Sequence, residues 1–177
     1  MTLSSEEIQK IKEPYRSLIV KFVNNLLKEF KDKIISIAVF GSVARGDFKP
    51  TSDIDLIIIM KKPLPKSRMK RHKLISNIPD KIEDDRVKLA RKGIYTAISP
   101  IILDDEEAKY FRPLYLDLTQ DAIIIYDKQN LLHKILQKLK QLIQEYEGER
   151  RWLGKQWYWI FKKGNPLIEL CGVKLIE

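Results

Sequence analysis

Two short apolar runs joined by a glycine turn govern what this chain can fold into. They read Val39-Phe40-Gly41-Ser42-Val43-Ala44-Arg45-Gly46-Asp47 and, five residues on, Ser52-Asp53-Ile54-Asp55-Leu56-Ile57-Ile58-Ile59-Met60. Residues 33–40 are rich in β-branched side chains and bounded by charge on one side and Gly41 on the other, which marks a strand. Gly41 ends it. One or two helical turns fit residues 42–46, a loop containing Pro50 follows, and a second strand covers residues 53–60. Runs of this length are far too short to span a bilayer.

The chemistry concentrates in the same stretch. Asp53 and Asp55 are one residue apart, so on a strand both carboxylates project to one face and Ile54 and Leu56 to the other. Two unpaired like charges beside a hydrophobic strand are unfavourable, and a cation is the natural compensation. Mg²⁺ suits them, since it takes oxygen ligands, commonly one or two protein carboxylates with phosphate and water. Gly41 and Ser42 stand where a strand turns into a short helix, a junction that offers backbone N–H groups to phosphate oxygens, with glycine allowing close approach. Ser42 adds a hydroxyl, and Arg45 can brace the turn or reach the phosphates. Taken alone, Asp-x-Asp also fits a solvated strand end.

The remaining elements alternate around that centre. Residues 5–31 read as an amphipathic helix capped by Ser4 or Ser5, which Pro14 breaks into a short piece and a longer one over 15–31. Residues 67–92 suggest two helices broken at Pro79. Residues 93–103 read as a third strand, where Pro100 implies an edge or a bulge. A short helix at 114–118, a fourth strand at 122–126 and an amphipathic helix at 128–147 complete the series. All three tryptophans, Trp152, Trp157 and Trp159, lie near the C-terminus beside Arg150, Arg151 and Lys155. They fit either a hydrophobic cap, the favoured reading, or a platform for nucleic-acid bases. Gly164-Asn165-Pro166 reads as a turn before a final strand or tail. The expected fold is α+β of α/β type: a small mixed β-sheet flanked by helices, with an N-terminal helix and a C-terminal helical and aromatic extension. Residues 1–127 would form the main domain, and residues 128–177 would pack on it within one structural domain.

Composition narrows the setting. With 33 Lys and Arg against 24 Asp and Glu, the net charge of +9 favours polyanionic partners, although a lysine-rich solvated surface also accounts for it. The basic cluster Lys66, Arg68, Lys70, Arg71 and Lys73 could guide a polyanionic acceptor, with a solvated helix face the expectation. One cysteine, Cys171, cannot form an internal disulfide, and the polar, acidic N-terminus lacks the pattern of a secretory signal. A cytoplasmic protein without a membrane partner is expected. His72 and His133 are isolated and carry no assigned role.

Gly41-Ser42-x-Ala44-Arg45-Gly46-Asp47 followed by Ser52-Asp53-Ile54-Asp55-Leu56 resembles the signature of the DNA polymerase beta-like nucleotidyltransferase superfamily, especially its minimal bacterial and archaeal members. Residues 113–117 and 125–127 also look like a later part of the archaeal members. The resemblance implies that Gly41 and Ser42 hold a nucleoside triphosphate, with Arg45 beside them, and that Asp53 and Asp55 bind one or two Mg²⁺ ions. It further implies transfer of a nucleoside monophosphate to a hydroxyl of an RNA or protein acceptor, with release of pyrophosphate. Members of this family often carry a third carboxylate on a later strand. Residues 94–103 contain Tyr95, Thr96 and Ser99 but no acid, so either Asp104, Asp105 or Asp117 substitutes, or the protein binds nucleotide and metal without full transferase activity. In that case it would be a regulatory module, such as the antitoxin-like partner of a small helical toxin, or a non-catalytic nucleic-acid binder.

Overall fold

The computed structural model describes residues 3–177. At its centre is a four-stranded mixed sheet in the order β3-β2-β1-β4, built from β1 (Ile34–Phe40), β2 (Ile54–Met60), β3 (Ile98–Asp104) and β4 (Ile123–Asp127). β1 pairs antiparallel with both β2 and β4, while β2 and β3 run parallel. The strands are almost wholly apolar because both faces are covered. Ile37, Val39, Leu56 and Ile58 point to one layer with α1 (Ser5–Gln9) and α2 (Tyr15–Phe30), whereas Ala38, Ile57 and Ile59 point to the other, with α7 (Leu114–Asp121) and α8 (Leu131–Glu145).

Local chemistry explains the boundaries. The Ser4 side chain accepts from the Glu7 amide to cap α1, and the Pro14 region separates α1 from α2 as its fixed φ and missing donor require. Asp127 caps α8 by accepting from the amides of Leu132 at 3.1 Å and His133 at 2.9 Å, and it also accepts a hydrogen bond from the hydroxyl of buried Ser36. The α8 stripe of Leu132, Ile135, Leu136, Leu139 and Ile143 is buried against the sheet.

Several expectations need correction. Residues 67–92 form three helices, α4 (Arg68–Leu74), α5 (Asn77–Asp80) and α6 (Glu83–Ala90). Pro79 lies inside α5, tolerated because the first turn of a helix leaves its N–H groups unbonded anyway. The third strand begins at Ile98, since the backbone before it is used elsewhere: Tyr95 N–H donates to Pro50 O at 2.7 Å and Ala97 N–H to Asp53 Oδ1 at 3.0 Å. As Pro100 implies, β3 is an edge strand.

The aromatic part of the C-terminal extension follows α8. It is an antiparallel hairpin of β5 (Gly148–Leu153) and β6 (Gln156–Phe161), closed by Gly154 at φ 63° and Lys155. Residues 164–166 lead into a short helix, α9 (Pro166–Glu169), rather than a strand, because Asn165 accepts from the Leu167 amide and Pro166 occupies the first turn.

Candidate active site

The end of β1 and the start of β2 meet at one edge of the sheet, where Phe40 pairs with Asp55. Between them the chain turns through α3 (Gly41–Arg45), which closes when the Ser42 carbonyl accepts from the amides of Gly46 and Asp47. Gly41 has φ 71°, and a Cβ built on it would come within 2.5 Å of Asp55 Oδ2. The turn and the carboxylate are thus in contact, and glycine satisfies both the left-handed backbone and the lack of room. The loop after α3 is pinned as well: the Tyr15 hydroxyl donates to Lys49 O at 3.0 Å and its ring packs on Phe48. Ser52 then closes a turn with Lys49, which delivers Asp53 to its bond with Ala97.

Asp55 shares its sheet face with Ile57 and Ile59, while Ile54 and Leu56 enter the opposite core, so the alternation read from sequence holds. Burial pushes the Asp55 carboxyl above the usual carboxylate range. The Ser99 hydroxyl offsets part of this, the Asp53 charge adds to it, and the Arg45 charge again lowers it. Burial raises the Tyr15 phenol, and the Asp53 charge adds to that rise.

A divalent cation fits these donors. Two carboxylates near enough for the charge of one to act on the other, one of them held partly out of water, match the small oxygen set that a hard divalent cation takes when substrate phosphates and water complete its shell. Among the described residues no cluster of three or more His, Cys, Asp or Glu side chains is present, so a protein-only cage is not formed.

A sequence profile of the nucleotidyltransferase domain matches residues 19–147. The chain belongs to that family. A Methanocaldococcus jannaschii protein named “Putative protein adenylyltransferase” is 35% identical over 147 residues, covering 75% of this chain and 94% of the relative. A second protein of that organism with the same descriptive name is 46% identical over 41 residues, 23% of this chain and 41% of its own length. Among solved structures, a crystal structure of a toxin-antitoxin with AMP-PNP is similar at 17% identity and a TM-score of 0.42, covering 71% of this chain and 90% of that one.

Within this nucleotidyltransferase the structure brings Gly41, Ser42, Asp53 and Asp55 to one sheet end. Arg45 is less free than its place in the motif suggests. Its guanidinium donates to Asp47 at 3.1 Å and to Asp121 at 3.4 Å, and lies over the Trp157 ring. None of the three later acids considered from sequence joins the pair. Asp104 sits at the far end of β3, opposite Met60, where it accepts from the amides of Glu106 and Glu107, and Asp105 accepts from the Lys62 amide. Asp117 accepts the indole N–H groups of Trp157 and Trp159. The β3 residue in register with Asp55 is Ser99.

Two features escaped the sequence reading. Ser99 gives no local signal of its partner, because register between parallel strands depends on everything between them. The hairpin did leave a signal: aromatic runs on either side of a two-residue Gly154-Lys155 connection.

Proposed function

We propose that this nucleotidyltransferase moves AMP from ATP onto a hydroxyl of a protein side chain. The acceptor oxygen bonds to the α-phosphorus as the α–β phosphoanhydride breaks, pyrophosphate leaves, and the hydroxyl proton passes to water. The observation that carries this reading is the contact between the Gly41 turn and Asp55, which sets a phosphate-binding backbone directly against a carboxylate pair. The choice of adenylyl group and protein acceptor is supported by the name of the 35% identical relative.

In this reading the backbone at Gly41 and Ser42 orients the triphosphate, and Asp53 and Asp55 hold Mg²⁺. When bound, the metal lowers the pKa of the attacking oxygen and offsets charge on the leaving group. Asp53 is kept in place by Ala97, and Ser99 supports Asp55 from the neighbouring strand. Arg45 braces the turn. The reaction takes place in the cytoplasm. Among the described residues no helix is long and apolar enough to cross a membrane. Residues 128–177 are read as part of the same structural unit, a reading supported by the packing of the α8 apolar stripe with the sheet.

One observation favours a second reading. With Ser99 rather than an acid beside Asp55, the protein in this second reading only binds Mg²⁺ and ATP, as a regulatory module for a small helical protein partner. Incubation with labelled ATP, Mg²⁺ and candidate protein and RNA acceptors separates the two. Label on a protein, lost in Asp53→Asn with Asp55→Asn, supports transfer. ATP binding with no label on any acceptor supports the module, and absence of ATP binding refutes both.

A further inference from the structure

The nucleotidyltransferase profile ends at residue 147, and the β5–β6 hairpin begins at Gly148. The hairpin nevertheless reaches back to the site turn. Pairing of Arg150 with Trp159 and of Trp152 with Trp157 puts these four side chains on one hairpin face. Two acids of α7 meet that face. Asp117 Oδ1 accepts from the Trp157 indole at 2.8 Å and from the Trp159 indole at 2.9 Å. Asp121, whose side chain is 6% exposed, accepts from both terminal guanidinium nitrogens of Arg150, Nη1 and Nη2, at 2.7 and 2.8 Å.

Both groups then act on Arg45. Asp121 accepts from its guanidinium at 3.4 Å, and the Trp157 ring lies beneath it, 4.5 Å from the guanidinium carbon to the ring centre. Arg45 is the last residue of α3, whose first residue is Gly41. The helix is barely more than one turn, so the tether at its end fixes the backbone at its start. Arginine suits this task, because its planar group stacks on an indole while keeping in-plane donors for a carboxylate.

We infer that the hairpin is a clamp on α3, with Trp157 and Asp121 as positioning residues that act through Arg45 on the Gly41-Ser42 turn. The inference rests on the reading of that turn as the ATP site. It also explains why both indole N–H groups and Arg150 are spent on α7: they hold the hairpin in place so that Trp157 meets Arg45. Opening the clamp leaves the Asp53 bond to Ala97 in place but lets the turn move relative to Asp55.

All three tryptophans lie in this hairpin, so tryptophan emission, excited selectively over tyrosine, reports on it alone. The test titrates the full chain with ATP and Mg²⁺, following tryptophan emission and, separately, the dissociation constant by calorimetry. Wild type should show an emission change that saturates with binding. Trp157→Ala should weaken ATP binding about tenfold, Trp157→Phe should recover most of it because an aromatic face remains under Arg45, and Asp121→Asn should weaken it several-fold. A merely structural hairpin would lower the melting temperature of these variants and leave ATP affinity within about twofold at temperatures well below the melt. That result, or ATP binding to wild type with unchanged emission, overturns the clamp. If Trp157→Ala does not fold, Trp157→Phe and the wild-type emission titration decide. Asp53→Asn with Asp55→Asn separates the premises: unchanged Mg²⁺-dependent ATP binding there refutes the nucleotide site itself, whereas loss there with a silent Trp157→Ala refutes only the clamp.

Discussion

Gly41→Ala is the sharpest single perturbation of this site, because two penalties of different origin coincide at one atom. An alanine held at φ 71° carries the left-handed strain of an L residue, about 1–2 kcal/mol. Its Cβ would also lie 2.5 Å from Asp55 Oδ2, so the carboxylate must rotate off its preferred conformation, adding about 0.5–1.5 kcal/mol. The sum, roughly 1.5–3.5 kcal/mol, corresponds to a fall of about 3–14 °C in the melting temperature of a chain this size. Gly93→Ala is the matched control: its φ is 81°, and no atom lies within 4 Å of a Cβ built there, so it carries only the first penalty. The difference between the two melts measures the contact with Asp55. Functionally the variants should separate much further. A carboxylate displaced by about 1 Å lowers reactions that depend on position by on the order of a hundredfold, so Gly41→Ala should lose label transfer from ATP while Gly93→Ala keeps it. Equal melts for the two variants, or transfer by Gly41→Ala within a few-fold of wild type, would refute the argument that the turn and the carboxylate form one unit.

Three other perturbations follow from the same structure. Asp55 is raised by burial and by Asp53, so in metal-free protein its ionisation opposes folding as pH climbs through its elevated pKa. Asp55→Asn should therefore flatten that part of the stability–pH curve in chelator, while losing the stabilisation that Mg²⁺ and ATP give together in a thermal melt. Glu107 is lowered first by its hydrogen bonds from buried Arg71, so its contribution is present above the ordinary carboxylate pKa and lost as pH falls through the depressed one. With the Glu107 side chain 37% exposed and partly screened by water, Glu107→Gln should cost about 0.5–1.5 kcal/mol in urea unfolding at pH 7 and markedly less in acid; an equal loss at both would contradict the pairing. Asp127→Ala removes the α8 cap and strands the buried Ser36 hydroxyl, for a loss of about 2 kcal/mol. A double-mutant cycle with Ser36→Ala should show coupling, and strict additivity would count against the shared bond.

The legibility of this site in the sequence was uneven for physical reasons. The alternation from Ile54 through Asp55 to Leu56, the stop at Gly41 and the break near Pro14 depend on residues within a turn or two of each other, and the structure has them as expected. Arg45 sits in the same short motif, yet its partners include Asp121 and Trp157, which no local pattern names. The start of β3 was set by hydrogen bonds from Tyr95 and Ala97 to the Pro50–Asp53 loop rather than by the apolar run itself.

By itself, then, the sequence determined the strand–turn–strand unit and the inward alternation of β2, since backbone geometry alone relates residues two apart on a strand. Tertiary structure decided what surrounds them. It placed Ser99 in register with Asp55, and brought the Trp157 indole to Asp117, 40 residues away. Those outcomes depend on how two layers pack on both faces of one sheet, a property of all the buried side chains together and of no single stretch.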